Sequence, residues 1–150
     1  MRERIMVIML VLIALLLSAC GGERNHVTIG EQTFELDHGY LDDWGENLGE
    51  GQSGYDLDIW LMSPGVDPQA RSGSGAIVFL DLNTRAEGLD AGEYAFSGER
   101  QAGEVFSATV TIGDLEADAP DAQFEAAGGN VAVGLDEDRY TVTFDLTATD

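Results

Sequence analysis

Of the residues able to do chemistry, carboxylates are the most abundant here and bases the scarcest. The chain has 28 acidic residues, two histidines, one cysteine and no lysine. Nucleophilic catalysis by serine needs a base in hydrogen-bond reach and a tight Gly-flanked turn. Gly51-Gln52-Ser53-Gly54 and Arg71-Ser72-Gly73-Ser74-Gly75 are Gly-flanked, yet neither gives the G-x-S-x-G elbow. His38 stands among Asp37, Asp42 and Asp43, as a surface histidine would. Without lysine there is no phosphate-cradling loop of the Gly-Lys type. Glycoside hydrolysis would need two carboxylates across a cleft. So many acids make chance pairs common, so the sequence argues against an enzyme more than for one.

Cation binding is a sharper question, because Ca²⁺ takes six to eight oxygen ligands. Asp114, Glu116 and Asp118 alternate, and Glu125 follows at the spacing that closes an EF-hand loop. Ala119 occupies the position where that loop needs glycine, and the flanks read as strands. If the chain holds a cation, Ca²⁺ at these four residues is the expectation; otherwise this is an acidic loop. Asp42-Asp43, Asp56 with Asp58, and Asp136 to Asp138 read as solvated faces or turns. Two histidines and no free cysteine leave zinc short of its nitrogen and sulfur ligands. Tyr40, Trp44 and Trp60 are the candidate ligand-binding residues: their rings could form a stacking platform for sugars, with Asp56 and Asp58 on the same strand face as Trp60. The alternative for these rings is packing into a second layer.

The lone cysteine has a different chemistry. Arg2 and Arg4 precede an apolar run from Ile5 to Leu17, which at 13 residues is short for a membrane span of about 20. The run closes on Leu17-Ser18-Ala19-Cys20. This resembles the lipobox of bacterial lipoprotein signals: an aliphatic residue, two small residues and a cysteine. The resemblance implies a signal-peptide helix removed before Cys20 and a diacylglycerol thioether on Cys20. Acylation of the freed amine is also implied. Two or more acyl chains hold a protein stably to a bilayer. The expected divisions are a signal at 1–19, a lipidated Cys20 and tether at 20–26, and one domain at 27–150. Gly21-Gly22, not Asp, follows the cysteine, which favours the outer membrane in a cell that has two. Lipidation also leaves the domain without a disulfide, so it must stand on its core.

Loss of Arg2, Glu3 and Arg4 with the signal leaves 27 acids against five arginines, near −22. Such a surface repels nucleic acid and anionic lipid. The expected partners are the membrane, through the lipid, and a glycan or another envelope protein. Abundant acids without lysine resemble the surfaces of proteins from salt-loving organisms, so stability is expected to rise with salt.

Positioning of these groups falls to β-strands. Val27 to Ile29 and Thr33 to Asp37 flank Gly30-Glu31-Gln32 as a hairpin. Tyr55 to Met62 alternates, while Ala76 to Leu82 is apolar at every position but Asp81, as in a strand buried on both faces. Glu93 to Ser97, Val105 to Ile112, Gln123 to Ala126, Asn130 to Leu135 and Tyr140 to Thr147 complete the set. In Val105 to Ile112 the alternation points Phe106, Ala108, Val110 and Ile112 inward. Ser63 to Gly75 is the longest turn-rich connection. The sequence stops just after its cleanest strand, which is expected to be an edge or to pair outside the chain. Many short strands and no helical stripe predict an all-β domain. An antiparallel β-sandwich is preferred, with a small β-barrel as the alternative. Phe34 to Tyr40, Asp43-Trp44-Gly45, Gly54 to Ile59, Leu89 to Tyr94 and Tyr140 to Leu146 are similar in cadence to a group of uncharacterised secreted all-β bacterial lipoproteins. In that group a further strand usually follows the last one found here. The resemblance implies fold and address, and no activity.

Overall fold

The computed structural model describes residues 25–114 and 121–149, and all of their regular structure is β. β1 (His26–Ile29) and β2 (Gln32–Glu35) form the expected hairpin, closed by a turn in which Gly30 takes a φ of 59°. Only glycine enters that region without steric cost. The other strands belong to one curled sheet. They are β3 (His38–Glu46), β4 (Tyr55–Met62), β5 (Val66–Asp67), β6 (Ser72–Thr84), β7 (Gly92–Phe96), β8 (Glu104–Asp114), β9 (Ala122–Asp136) and β10 (Arg139–Thr149). Its order is β10-β9-β7-β8-β6-β4-β3, with β5 folded onto β6. Every pairing is antiparallel except the short β7–β8 contact, so the sheet is mixed. The domain is therefore all-β: a curled mixed sheet with a small second sheet laid against its inner side, the arrangement of a β-sandwich or half-barrel.

Inner and outer faces follow from strand alternation. Leu57 and Ile59 of β4, Val78, Leu80 and Leu82 of β6, Val105 and Ala108 of β8, and Tyr94 and Val131 form the inner core. Val27 and Leu36 bring the hairpin onto it. A hydrogen bond from Asp37 N–H to the Met62 carbonyl, at 2.9 Å, ties the hairpin's exit to β4. On the outer face the connection 63–71 is not a free loop. It lays Val66 against Met62 and Ile77 as a second, small core. This explains why Ala76 to Leu82 carries no polar alternation: β6 is covered on both sides.

Two irregularities shape the curl. Opposite Asp81 and Leu82, β8 carries one extra residue, Phe106, between Val105 and Ser107. This bulge reverses the phase of the strand. Val105 is buried in the core and Phe106 turns outward, against the alternation expected from the sequence. In β9 the pair Gly128-Gly129, read as a break between two strands, lies inside one 15-residue strand. Ala127 is unpaired there, and Gly129 has a φ of 113°. A β-carbon on Gly129 would collide with the Asp145 carbonyl on β10. β3 and β10 are the two edges, and both line a cavity of about 500 Å³ beside the hairpin.

Candidate functional site

The outer face of β3, β4, β6 and β8 carries two neighbouring rows fixed by register. One row places Asp42 opposite Asp58 and Asp58 opposite Asp81, with Ser107 beyond. The next places Tyr40 opposite Trp60 and Trp60 opposite Phe79, with Thr109 beyond. Carboxylates thus run beside aromatics.

The acidic row gains Asp56 from the same strand. Asp56, Asp58 and Asp81 bring carboxylate oxygens within 4.8 Å of one another. Arg100, from the β7–β8 connection, spans two of them. Its Nη1 lies 2.8 Å from Asp56 Oδ2 and its Nη2 lies 3.0 Å from Asp81 Oδ2. Its guanidinium also rests 4.2 Å above the centre of the outward-turned Phe106 ring. Trp44 Nε1 donates to Asp58 Oδ2 at 2.9 Å. Burial drives the Asp81 carboxyl up to about 7, helped by the charges of Asp56 and Asp58 and opposed by Arg100. Burial likewise raises Asp58, and Asp56 and Asp42 add to it. Asn83, fully buried opposite Asp56, accepts from Asn47 Nδ2 at 2.6 Å. These contacts tie the β3–β4 and β7–β8 connections together. Ser53 and Gln101 join them further by a side-chain hydrogen bond of 3.0 Å.

The aromatic row is covered by Arg71, from the turn after β5. Its guanidinium lies 3.6 Å from the centre of the Trp60 ring. Its Nε donates to the Tyr40 hydroxyl at 2.8 Å, and its Nη2 is 3.6 Å from Asp42. Tyr40 and Trp60 stack with centroids 6.1 Å apart, and Trp60 meets Phe79 at 4.4 Å. A groove of about 350 Å³ runs from Trp60 and Arg71 over Phe79 to Thr109, Thr111 and Gln123.

A larger cavity lies on the hairpin side of the sheet. About 620 Å³ opens between the hairpin and β8, β9 and β10. Val27, Ile29, Val110, Phe124, Val142, Phe144 and Leu146 line it, with His26, Thr28, Thr109, Thr143 and Asp145 as its polar members. Here the core is less tightly closed, for Phe124, Val142, Phe144 and Leu146 are only partly buried.

Of the three expected platform residues, the structure joins Tyr40 to Trp60 and separates Trp44. The bulge between Asp43 and Gly45 turns Trp44 toward Asp58, and it stays 69% exposed. Of the four expected calcium ligands, Glu116 and Asp118 lie outside the described residues, as does Cys20. Asp114 ends β8 opposite Ser74, whereas Glu125 pairs with Thr109. Asp114 and Glu125 are therefore about five residues apart along β8, on the order of 16 Å. Asp81 and Arg100 were not singled out from the sequence. An aspartate inside the apolar run Ala76 to Leu82 was the available signal, because a buried carboxylate needs a partner.

No family model matches the chain, and no curated protein or solved structure matches it either.

Proposed function

We propose that this chain is a lipid-anchored protein of the cell envelope, on the outer membrane where a cell has two. We propose further that its β domain binds rather than catalyses, taking an apolar chain such as a lipid acyl tail. The cavity of about 620 Å³ between the hairpin and β10 carries this reading. Its size suits a small-molecule site, which spans roughly 300–1,000 Å³. Its walls are mostly aliphatic and aromatic, and four of the larger side chains are left partly uncovered. Ten methylenes buried there would contribute roughly 8 kcal/mol gross, near micromolar affinity before ordering costs. A tether as short as 20–26 would hold the domain at a lipid surface, where such chains are concentrated.

A hydrolytic function has weaker support. The described carboxylate triad is spanned by Arg100 and lines none of the three cavities. A general acid needs access to a bound substrate.

Two measurements test the proposal. Labelled palmitate should enter the chain and be lost from Cys20→Ser, which should also leave the membrane fraction. A dansyl-labelled fatty acid should brighten on the domain exported from an ordinary cleavable leader. Phe144→Ser with Leu146→Ser should remove that signal. An equal signal in the double variant, or none in the unaltered domain, would overturn acyl-chain binding.

A further inference from the structure

We infer that the outer face of the sheet holds a second site: a groove beside Trp60 that binds a neutral saccharide. It shares only Thr109 with the apolar cavity and does not depend on that cavity being occupied.

Register builds the floor. Trp60, Phe79 and Thr109 form one row, which Glu125 of β9 extends. Ile77, Thr111 and Gln123 form the next. The groove therefore passes from Trp60, capped by Arg71, over the Phe79 ring to the hydroxyls of Thr109 and Thr111 and the amide of Gln123. A sugar ring has the matching pattern, with C–H faces that stack on aromatics and edges of hydroxyls that donate and accept.

Unused polar capacity marks the same place. The Trp60 Nε1 is buried and has no hydrogen-bond partner. An indole N–H buried without an acceptor is costly, so this end of the groove carries polar capacity that the fold itself does not use. The side chains of Thr109, Thr111 and Gln123 line the groove with no side-chain partner among the described residues.

The wall is held at a conformational cost. Arg71 has a φ of 53°, an uncommon value for a residue with a β-carbon. Its N–H donates to the Asp67 carbonyl at 2.7 Å, and the Asp67 carboxylate accepts from the N–H groups of Gln69 and Ala70 at 2.8 and 2.9 Å. That turn fixes the guanidinium over Trp60. Backbone strain of this kind clusters where a side chain must be placed for binding. One guanidinium, already shared with Tyr40 and Asp42, supplies donors for hydroxyl pairs. A domain near −22 repels an acidic polymer, so the sugar is neutral.

The chain has two tryptophans, so Trp44→Phe leaves Trp60 as the sole indole reporter. The full lipidated chain carrying that change is titrated in detergent micelles with neutral hexasaccharides. These are built of glucose, mannose, galactose, xylose or N-acetylglucosamine, in α and β linkage, with hexagalacturonate as the charged counterpart. At least one neutral sugar should shift Trp60 emission saturably. Thr111→Val with Gln123→Ala should weaken it tenfold or more without changing the melting temperature. Phe144→Ser should leave it unchanged. Silence across the neutral panel, binding of hexagalacturonate alone, or unchanged affinity in the Thr111→Val, Gln123→Ala chain would each overturn the inference.

Discussion

Asp81→Asn is the perturbation that most directly tests how the outer face is held. Asp81 is 5% exposed, faces Asp56 and Asp58, and accepts from Arg100. Its carboxyl is pushed by burial from the usual 3.8 to about 7. An unfolded Asp81 releases its proton near 3.8, whereas the folded one keeps it to near 7. Between those values the native state binds more protons, so its stability falls as pH rises and levels off above 7. One such group is worth at most about 3 kcal/mol between pH 5 and pH 8. Water still reaches the neighbouring Asp56 and Arg100 side chains, each 22% exposed, so we expect about 2 kcal/mol. Asp58, raised in the same direction, adds to the slope. Asp90 is lowered, because hydrogen bonds from Tyr94 and Arg85 outweigh its burial, and it acts only below the window.

Asparagine mimics the protonated acid, donating to Asp56 and accepting from Arg100. The variant should match the unaltered chain at pH 5 and exceed it by about 2 kcal/mol at pH 8. For a domain of this size that corresponds to a melting point higher by about 4–8 °C. The assay is urea unfolding and melting from pH 5 to pH 8 in 1 M NaCl, where a Debye length of about 3 Å suppresses surface repulsion. Histidine titration cancels between the two chains. Parallel pH profiles would refute the reasoning. So would a uniform loss of about 3–5 kcal/mol in the variant, which would make Asp81 an ionised partner that Arg100 cannot lose.

Three further outcomes follow from the same geometry. Tyr94→Phe removes a buried hydroxyl that donates to the Asp90 carbonyl and carboxylate at 2.7 and 2.6 Å, and should cost about 1–3 kcal/mol in urea unfolding. Trp44→Ala loses only an exposed ring and one hydrogen bond, so it should cost under about 1 kcal/mol and leave saccharide binding intact; loss of binding would restore Trp44 to the platform. Melting temperature should climb from low salt to molar NaCl as acid–acid repulsion is screened, and a flat or falling curve would dispose of the salt-adapted reading.

Strand positions were legible because alternation survives wherever one face is buried. Tyr55 to Met62 was read to the residue, and Gly30 marked its hairpin. β3 gave no such signal, because as an edge it buries little. The bulges were invisible, since one unpaired residue leaves no mark on composition. They nonetheless decided the site. Phe106 was expected in the core and instead supports Arg100, while the bulge before Gly45 takes Trp44 away from Tyr40 and Trp60. Trp60 beside Asp56 and Asp58 could be read from one strand. Arg71 and Arg100 could not, because each reaches the sheet from a connection whose path depends on tertiary contacts.

The scarcity of cations gives this arrangement its logic. Arg71, Arg85 and Arg100 each lie over an aromatic ring, respectively Trp60, Tyr94 and Phe106. Each also pairs with acids: Asp42, Asp90, and Asp56 with Asp81. A planar guanidinium can stack on a ring and keep its in-plane donors for carboxylates. An ammonium is a hydrated point charge with no flat face and holds one such contact well. In a chain of net charge −21 these three positive groups do both, which fits arginine serving at all three nodes in a sequence without lysine. The three nodes also sit where connections must be pinned to the sheet, at the ends of β5, β6 and β7. The Arg100 node, whose side chains are 8–22% exposed, is shielded from salt better than the exposed Arg71 and Arg85 pairs. Salt that relieves repulsion among the exposed acids would therefore leave that pin in place, and the two effects together favour the folded domain as ionic strength rises.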